Sequence, residues 1–373
     1  MRESVKNIEP YAGFEQGPIR PPSESGSLLI RATRNCPWNH CTFCGLYKDQ
    51  KFSLRPVSHV LKDIDLIERY VKEIKVGTPP MGQHDAMAYH AAANWVQNGM
   101  KSIFIQDSNS LIMKPDDLIT ILARLKEAFP EVERVTSYAR SHTIARISDQ
   151  NLGRMAMAGL NRIHIGMESA DDKILSLVKK GTNKETQIRA GKKVKQAGIQ
   201  LSEYFMPGIG GKAFSRENAL ETADALNQIN PEFIRLRTLA IPDNVALFKD
   251  YSAGIFEPMG DRLVAEEILL FIESLEGITS TIKSDHILNL LQEVDGTLPA
   301  DKKRMMRVIE KFLSLQKEEQ MLYQIGRRSG LFSRLDDLKN PTLRAYAERN
   351  YSDFNVTSET IDSIIAEMMK RFI

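Results

Sequence analysis

Cys36, Cys41 and Cys44 are the only cysteines of the 373-residue chain, and they fall within nine residues of one another. Random placement would seldom crowd them so. The run reads Cys36-Pro-Trp-Asn-His-Cys41-Thr-Phe-Cys44, a C-x4-C-x2-C spacing. A cytosolic chain has little use for disulfides, so a tight thiol group reads as metal binding or redox chemistry. Thiolates are the usual ligands of iron–sulfur clusters. Three of them on a four-iron cluster leave one iron without a protein ligand, open to a small molecule. A structural zinc site is the plainer alternative, with His40 as fourth ligand. Such sites normally use four ligands in paired spacing, and adjacent residues such as His40 and Cys41 rarely close on one tetrahedral ion.

Composition sets the frame around this loop. Hydrophobic residues make up 42% of the chain and charged residues 26%, which is enough apolar matter for a sizeable globular core. No apolar run approaches the roughly 18–20 residues that cross a bilayer. The N-terminal MRESVKNIEPYAG lacks the apolar stretch of a signal peptide. These features predict a cytoplasmic protein with no membrane partner. The net charge is +2 with basic residues scattered, which predicts no dedicated nucleic-acid domain. No internal repeat of fixed period is present.

The pattern along the chain alternates strand and helix. Residues 1–26 are polar and rich in Pro, Gly and Ser, and are expected to form an N-terminal arm on the surface. SLLIRAT (27–33) reads as a buried strand running into the cysteine loop. Val57, Val60, Leu61, Ile64, Ile67, Val71 and Ile74 recur at helical spacing. The stretch from Gly77 to Gly99 reads as a loop followed by an Ala-rich helix. Further strands are expected at 102–107, 133–139, 161–167, 199–206 and 232–240. Helices between them are marked by Pro115 with two acids, by Ser148, by a Thr182/Glu185 capping box and by Ser215. Six such units imply a parallel sheet in an α/β fold, too few for a full eight-unit barrel, so a partial (β/α)6 TIM-like barrel over 27–245 fits. Residues 246–373 lose the β signal and read as a mostly helical C-terminal region.

The loop after the first strand lies where parallel α/β folds build active sites. With Phe43 directly before the last cysteine, it resembles the three-cysteine loop of the radical S-adenosylmethionine superfamily. The usual spacing there is C-x3-C-x2-C, so this chain has one extra residue in the first gap. The stretch IHIGMESADDKILSLVKKGTNKETQIRAGKKVKQAGIQLSEYFMPGIGG resembles the fourth strand, helix and fifth strand of the branch holding oxygen-independent coproporphyrinogen oxidases and methylthiotransferases. The resemblance implies a [4Fe–4S] cluster on Cys36, Cys41 and Cys44. It implies reductive cleavage of S-adenosylmethionine to methionine and a 5′-deoxyadenosyl radical that abstracts substrate hydrogen, with a flavodoxin- or ferredoxin-type electron donor. No cysteine remains for a second cluster, and no cobalamin or tRNA-gripping segment is evident, so a small-molecule substrate is expected. The alternative from another class is a non-catalytic iron–sulfur or zinc-binding carrier or scaffold.

The same resemblance suggests cofactor contacts. Asp107 or Ser108 stands where the superfamily places a Gly-Gly-Glu-like motif for the amino group, and the glycines are missing here. Arg140, flanked by Tyr138 and Ser141 at the third strand's end, can pair with the carboxylate as a fork; a surface salt bridge is the alternative. Glu168 stands where relatives carry a polar residue for the ribose, and Lys180 where they carry a basic contact. Gly208, in PGIGG after the fifth strand, is expected to approach adenine through its backbone; the rival reading of GIGGKA as a dinucleotide fingerprint is weak alone. In the C-terminal region His286 and Asn289, three residues apart, are expected to share a helix face toward substrate.

Overall fold

The computed structural model describes residues 9–18, 21–77 and 85–372. The loop expected after Gly77 lies mostly outside them, as does part of the N-terminal arm. The chain divides into two compact units. The first takes the residues up to Asn39, Leu46–Ile165 and Lys193–Gln200; the second takes His40–Gly45, Gly166–Lys192 and the chain from Leu201 onward.

The first stretch runs through β1 (Leu28–Arg31), β2 (Thr33–Arg34), β3 (Ser53–Leu54), α1 (Val57–Lys75) and α2 (Ala86–Gln97). It continues with β4 (Ser102–Gln106), α3 (Pro115–Ala128), β5 (Arg134–Ala139), α4 (Ser141–Ile144), α5 (Asp149–Met157) and β6 (Arg162–Glu168). In the first unit β1, β4, β5 and β6 are parallel neighbours in that order, while β2 and β3 form an antiparallel pair. Partners in register share a face because side chains alternate along each strand. One face therefore carries Leu28, Ile30, Ile103, Ile105, Ile163 and Ile165, all buried. The other mixes Arg31, Gln106, Tyr138 and His164 with buried Leu29 and Phe104.

Beyond β6 come α6 (Asp172–Leu177), α7 (Lys184–Gln196), β7 (Gln200–Phe205), α8 (Ser215–Ile229), β8 (Phe233–Leu236), α9 (Ala246–Ser252) and α10 (Asp261–Glu273). They are followed by β9 (Thr281–Lys283), β10 (Gly296–Thr297), α11 (Lys302–Leu313), α12 (Lys317–Arg328), α13 (Pro341–Asp353) and α14 (Ile361–Met369). In the second unit β7, β8 and β9 are parallel and β10 closes antiparallel on β9. Phe205 stacks on Phe271 of α10 with ring centroids 4.3 Å apart.

Each of the six expected strands is present. Ser148 caps α5 by accepting from Asn151 N–H, and Pro115 opens α3. Three local expectations change. The residue capping α7 is Asn183, whose Oδ1 accepts from Thr186 N–H at 2.9 Å, rather than Thr182; Asn caps at least as well and sits one residue nearer. The strand series continues past residue 250, because three residues suffice for β9 to pair with β8 and so short a run leaves no periodicity to read. The described part of the arm is more than surface cover: Phe14 and Glu24 are buried, and Tyr11 donates to Asp63 of α1 at 2.8 Å. Glu24 accepts from Ser27 Oγ at 2.6 Å and Arg134 at 3.1 Å and faces His164 at 3.4 Å.

Candidate active site

The cysteine loop begins where β1 and β2 end. Cys36 belongs to the first unit, Cys41 and Cys44 to the second. All three thiols are half-buried and none is in a disulfide. At the Cys36 end, Asn35 and Asn39 take left-handed conformations, φ 67° and 48°, which asparagine tolerates better than most residues. Asn39 N–H approaches Cys36 Sγ at 3.5 Å, a donor suited to a thiolate. Lys48 donates to Asn39 O at 2.8 Å. The Cys41–Cys44 end is pinned by its middle residue: buried Thr42 donates its N–H to Val178 O at 3.0 Å and accepts from Leu247 N–H at 2.9 Å. Cys44 N–H turns back to Cys41 O at 3.4 Å.

The residues expected around the cofactor fall into three groups. Asp107 and Ser108, after β4, both meet the cysteine loop. Asp107 Oδ2 accepts from Arg31 Nε and Nη2 at 2.9 and 2.7 Å and from Asn35 N–H at 3.0 Å. Ser108 Oγ donates to Asn35 O at 3.1 Å. After β5, the Arg140 guanidinium lies 4.9 Å over the Trp38 ring of the cysteine loop, and the Arg140 backbone N–H donates to Asn109 Oδ1 at 3.0 Å. Tyr138 meets Phe104 edge-on at 5.3 Å, and Ser141 is buried at the start of α4.

The third group lies in the second unit. Glu168 ends β6 with φ 64° and pairs with Lys180 Nζ at 2.9 Å. Lys180 Nζ also sits 5.8 Å from the Phe43 ring centroid. Gly166 makes room for this: a Cβ there would come within 2.2 Å of Glu168 Oε1. Gly208 has φ 88°, and its N–H is donated to buried Glu267 at 2.9 Å. Burial raises the Glu267 carboxyl to about 7. Fully buried Glu203 of β7 lies on the same sheet face as Ile234, and burial holds its carboxyl well above the usual range. Nothing in the local sequence QLSEYF marks it, because its burial follows from sheet pairing rather than from an apolar pattern.

His286 and Asn289 do not share a helix face. They lie in the turn after β9, outside any helix, where Asn289 N–H donates to His286 O at 2.9 Å. Asn289 is buried and committed to the end of β8, accepting from Thr238 N–H and donating to Leu236 O at 2.8 Å. His286 Nδ1 accepts from Leu288 N–H at 3.2 Å, and burial followed by the charge of Arg237 lowers it to about 4.

Parallel strands with a loop of three thiols after the first of them define an α/β metalloenzyme. The chain belongs to the radical SAM superfamily, whose family model matches residues 30–223, more than half its length. The expected α/β class with a TIM-like barrel and the enzyme reading therefore stand, and the carrier alternative falls. Its cofactors are a [4Fe–4S] cluster and S-adenosylmethionine. Thiol side chains are the donors that such a cluster takes. Among the described residues no group of three or more His, Cys, Asp or Glu is placed to hold a metal ion.

Among curated relatives, tRNA uridine(34) acetyltransferase of Methanocaldococcus infernus is 21% identical over 161 residues, 41% of this chain and 30% of its own length. The 4′-phospho-dehydrooxetanocin synthase of Priestia megaterium is 29% identical over 185 residues, 48% of this chain and 23% of its own. The chain thus spans less than a third of either relative. Among solved structures, coproporphyrinogen III oxidase of Escherichia coli aligns at 14% identity and TM-score 0.44, over 66% of this chain and 52% of that one. Among the described residues no helix is long and apolar enough to cross a membrane.

Proposed function

We propose that this chain cleaves S-adenosylmethionine reductively and turns the resulting radical on a small-molecule substrate, with electrons from a flavodoxin- or ferredoxin-type donor. The observation that carries the reading is the loop itself: three half-buried thiols after β1, with no further cysteine in the chain to close a fourth ligand position. Cys36, Cys41 and Cys44 would hold the cluster. When bound, cluster and cofactor together supply one-electron cleavage of the C5′–S bond and a radical that removes a substrate hydrogen.

The protein's own residues supply binding and orientation. Arg140 presents a guanidinium fork matched to the cofactor's carboxylate, and its stacking on Trp38 fixes the plane of that fork. Glu168, held by Lys180, presents carboxylate oxygens suited to ribose hydroxyls. The scattered charge, net +2, favours a small molecule over a polyanion. The relatives' names point to a tRNA base in one case and a phosphorylated small molecule in the other.

The test is anaerobic. The cluster is reconstituted, dithionite and S-adenosylmethionine are added, and 5′-deoxyadenosine is quantified against a Cys41→Ala control. Product from the wild type alone supports the reading. A colourless protein holding one zinc ion overturns it.

A further inference from the structure

We propose that Asp107 and Ser108 are positioning residues that clamp the peptide of Asn35 and thereby place Cys36, and that neither is a ligand of the cofactor's amino group. The proposal goes beyond the function above while resting on its cluster-binding loop. Asn35 directly precedes Cys36, and both polar groups of its backbone are held from the end of β4. Its N–H donates to Asp107 Oδ2 at 3.0 Å, and its C=O accepts from Ser108 Oγ at 3.1 Å. The residue so held is in the left-handed region, φ 67°, which asparagine tolerates and a β-branched residue does not.

Asp107 is closed to an amine by burial and by the groups packed over it, although one of its oxygens is still free to accept. It is fully buried. Oδ2 already takes three donors, two of them from the Arg31 guanidinium. Oδ1 accepts no hydrogen bond at ordinary geometry; the buried Tyr47 hydroxyl lies beside the carboxylate, and the N-terminal arm roofs it: a Cβ on Gly17 would sit 1.9 Å from Oδ1. Gly17 is itself fastened, donating its N–H to Gln106 Oε1 at 2.8 Å and accepting from Gln106 Nε2 at 3.0 Å. An ammonium reaching Oδ1 would have to lift this arm and enter a site where Arg31 already balances the carboxylate. The arm, the strand end and the loop form one clamp, with Gly17 present because nothing larger fits over Asp107.

The test reads the loop with and without iron. In the iron-free full chain, the alkylation rate of each cysteine is measured by mass spectrometry for the wild type, Asp107→Ala, Ser108→Ala, Gly17→Ala, Asn35→Val and Asn35→Gly. Release of the clamp is expected to change the Cys36 rate several-fold in the first four variants, with Cys44 unchanged. Asn35→Gly, which keeps the left-handed turn without strain, should stay near wild type. After anaerobic reconstitution, the same four variants should hold less iron or show altered EPR of the reduced cluster. Cluster-loaded Ser108→Ala should bind S-adenosylmethionine about as tightly as wild type. Wild-type thiol rates, iron and EPR in Ser108→Ala and Asp107→Ala, together with about a tenfold loss of S-adenosylmethionine affinity, would overturn the proposal in favour of amine binding. If Asp107→Ala does not fold by far-UV circular dichroism, the Ser108 and Asn35 variants decide. If the wild type takes up no iron, the functional reading falls while the thiol rates still judge the clamp.

Discussion

Lys180 Nζ lies 2.9 Å from the carboxylate of Glu168, twelve residues upstream, and both side chains are largely shielded from water. From sequence, each was expected to meet the cofactor separately. Their pairing also lets Lys180 fix where Glu168 points, while Gly166 leaves it room. A hydrogen bond to a charged group contributes about 1.5–3 kcal/mol, so Lys180→Met is expected to weaken S-adenosylmethionine binding by about tenfold or more. Gly166→Ala should do the same by pushing the Glu168 carboxylate aside. Titration of the cluster-loaded variants measures this. Unchanged affinity in both would remove Glu168 from the binding site.

How much of this was legible follows from what each feature needs. The strands were readable because β1 and β4 carry short apolar runs and β6 alternates Ile163, Ile165 and Met167 with polar residues, and the cysteine loop because thiol crowding is rare. The partners of Asp107 were not readable: Arg31 and Gly17 lie 76 and 90 positions upstream and meet it only through strand pairing and the path of the arm. Likewise Asn289 looks like a helical polar residue beside His286, until β9 pairs with β8 and turns it into a plug for the β8 end. Long-range pairing, not local pattern, assigned these roles.

Trp38 and Arg140 offer an optical test. The chain has two tryptophans, and Trp95 is fully buried with its Nε1 donating to Ser102 O. Trp38 is the one under Arg140, at 4.9 Å. Arg140→Ala should therefore change the Trp38 contribution to fluorescence, while a Trp38→Phe background shows no change. The stacking itself is worth about 0.5–1 kcal/mol, so stability should barely move. A wild-type spectrum in Arg140→Ala would mean that the two side chains do not stack in solution.

Two buried acids predict opposite pH dependences. Burial works to raise Glu24, but hydrogen bonds from His164 and Ser27 and the charge of Arg134 win and bring it from 4.5 down to about 2. Its contribution is complete above pH 4.5 and is lost as pH falls through 2. Burial raises Glu267 from 4.5 to about 7. The fold therefore holds that proton more tightly than the unfolded chain, and stability is lost as pH rises from 4.5 through 7. Each swing amounts to roughly 3–4 kcal/mol. Denaturant unfolding of the cluster-free chain should show the loss on the alkaline side, and Glu267→Gln should reduce it, leaving the part that buried Glu203 contributes with the same sign. An identical slope between pH 5 and 7 in wild type and variant would count against a protonated Glu267.

The C-terminal helices are tied together by a buried ion pair. Arg328 of α12 donates to Asp261 of α10 through Nη2 at 2.5 Å and Nε at 3.3 Å, and to Leu288 O through Nη1 at 2.7 Å. Both side chains are about 97% buried or more. Removing one partner strands the other charge away from water, which typically costs about 3–5 kcal/mol. Replacing both with apolar groups of similar volume removes the desolvation penalty along with the attraction. Arg328→Met is therefore expected to lower the denaturation midpoint sharply, and the double variant Arg328→Met with Asp261→Leu to recover most of the loss. Leu288 O would still lack its donor, so recovery should stop short of wild type by about 1 kcal/mol. A double variant no more stable than Arg328→Met would mean that the helices depend on the charge pair itself, and that the turn carrying His286 and Asn289 is anchored by Arg328 rather than by packing.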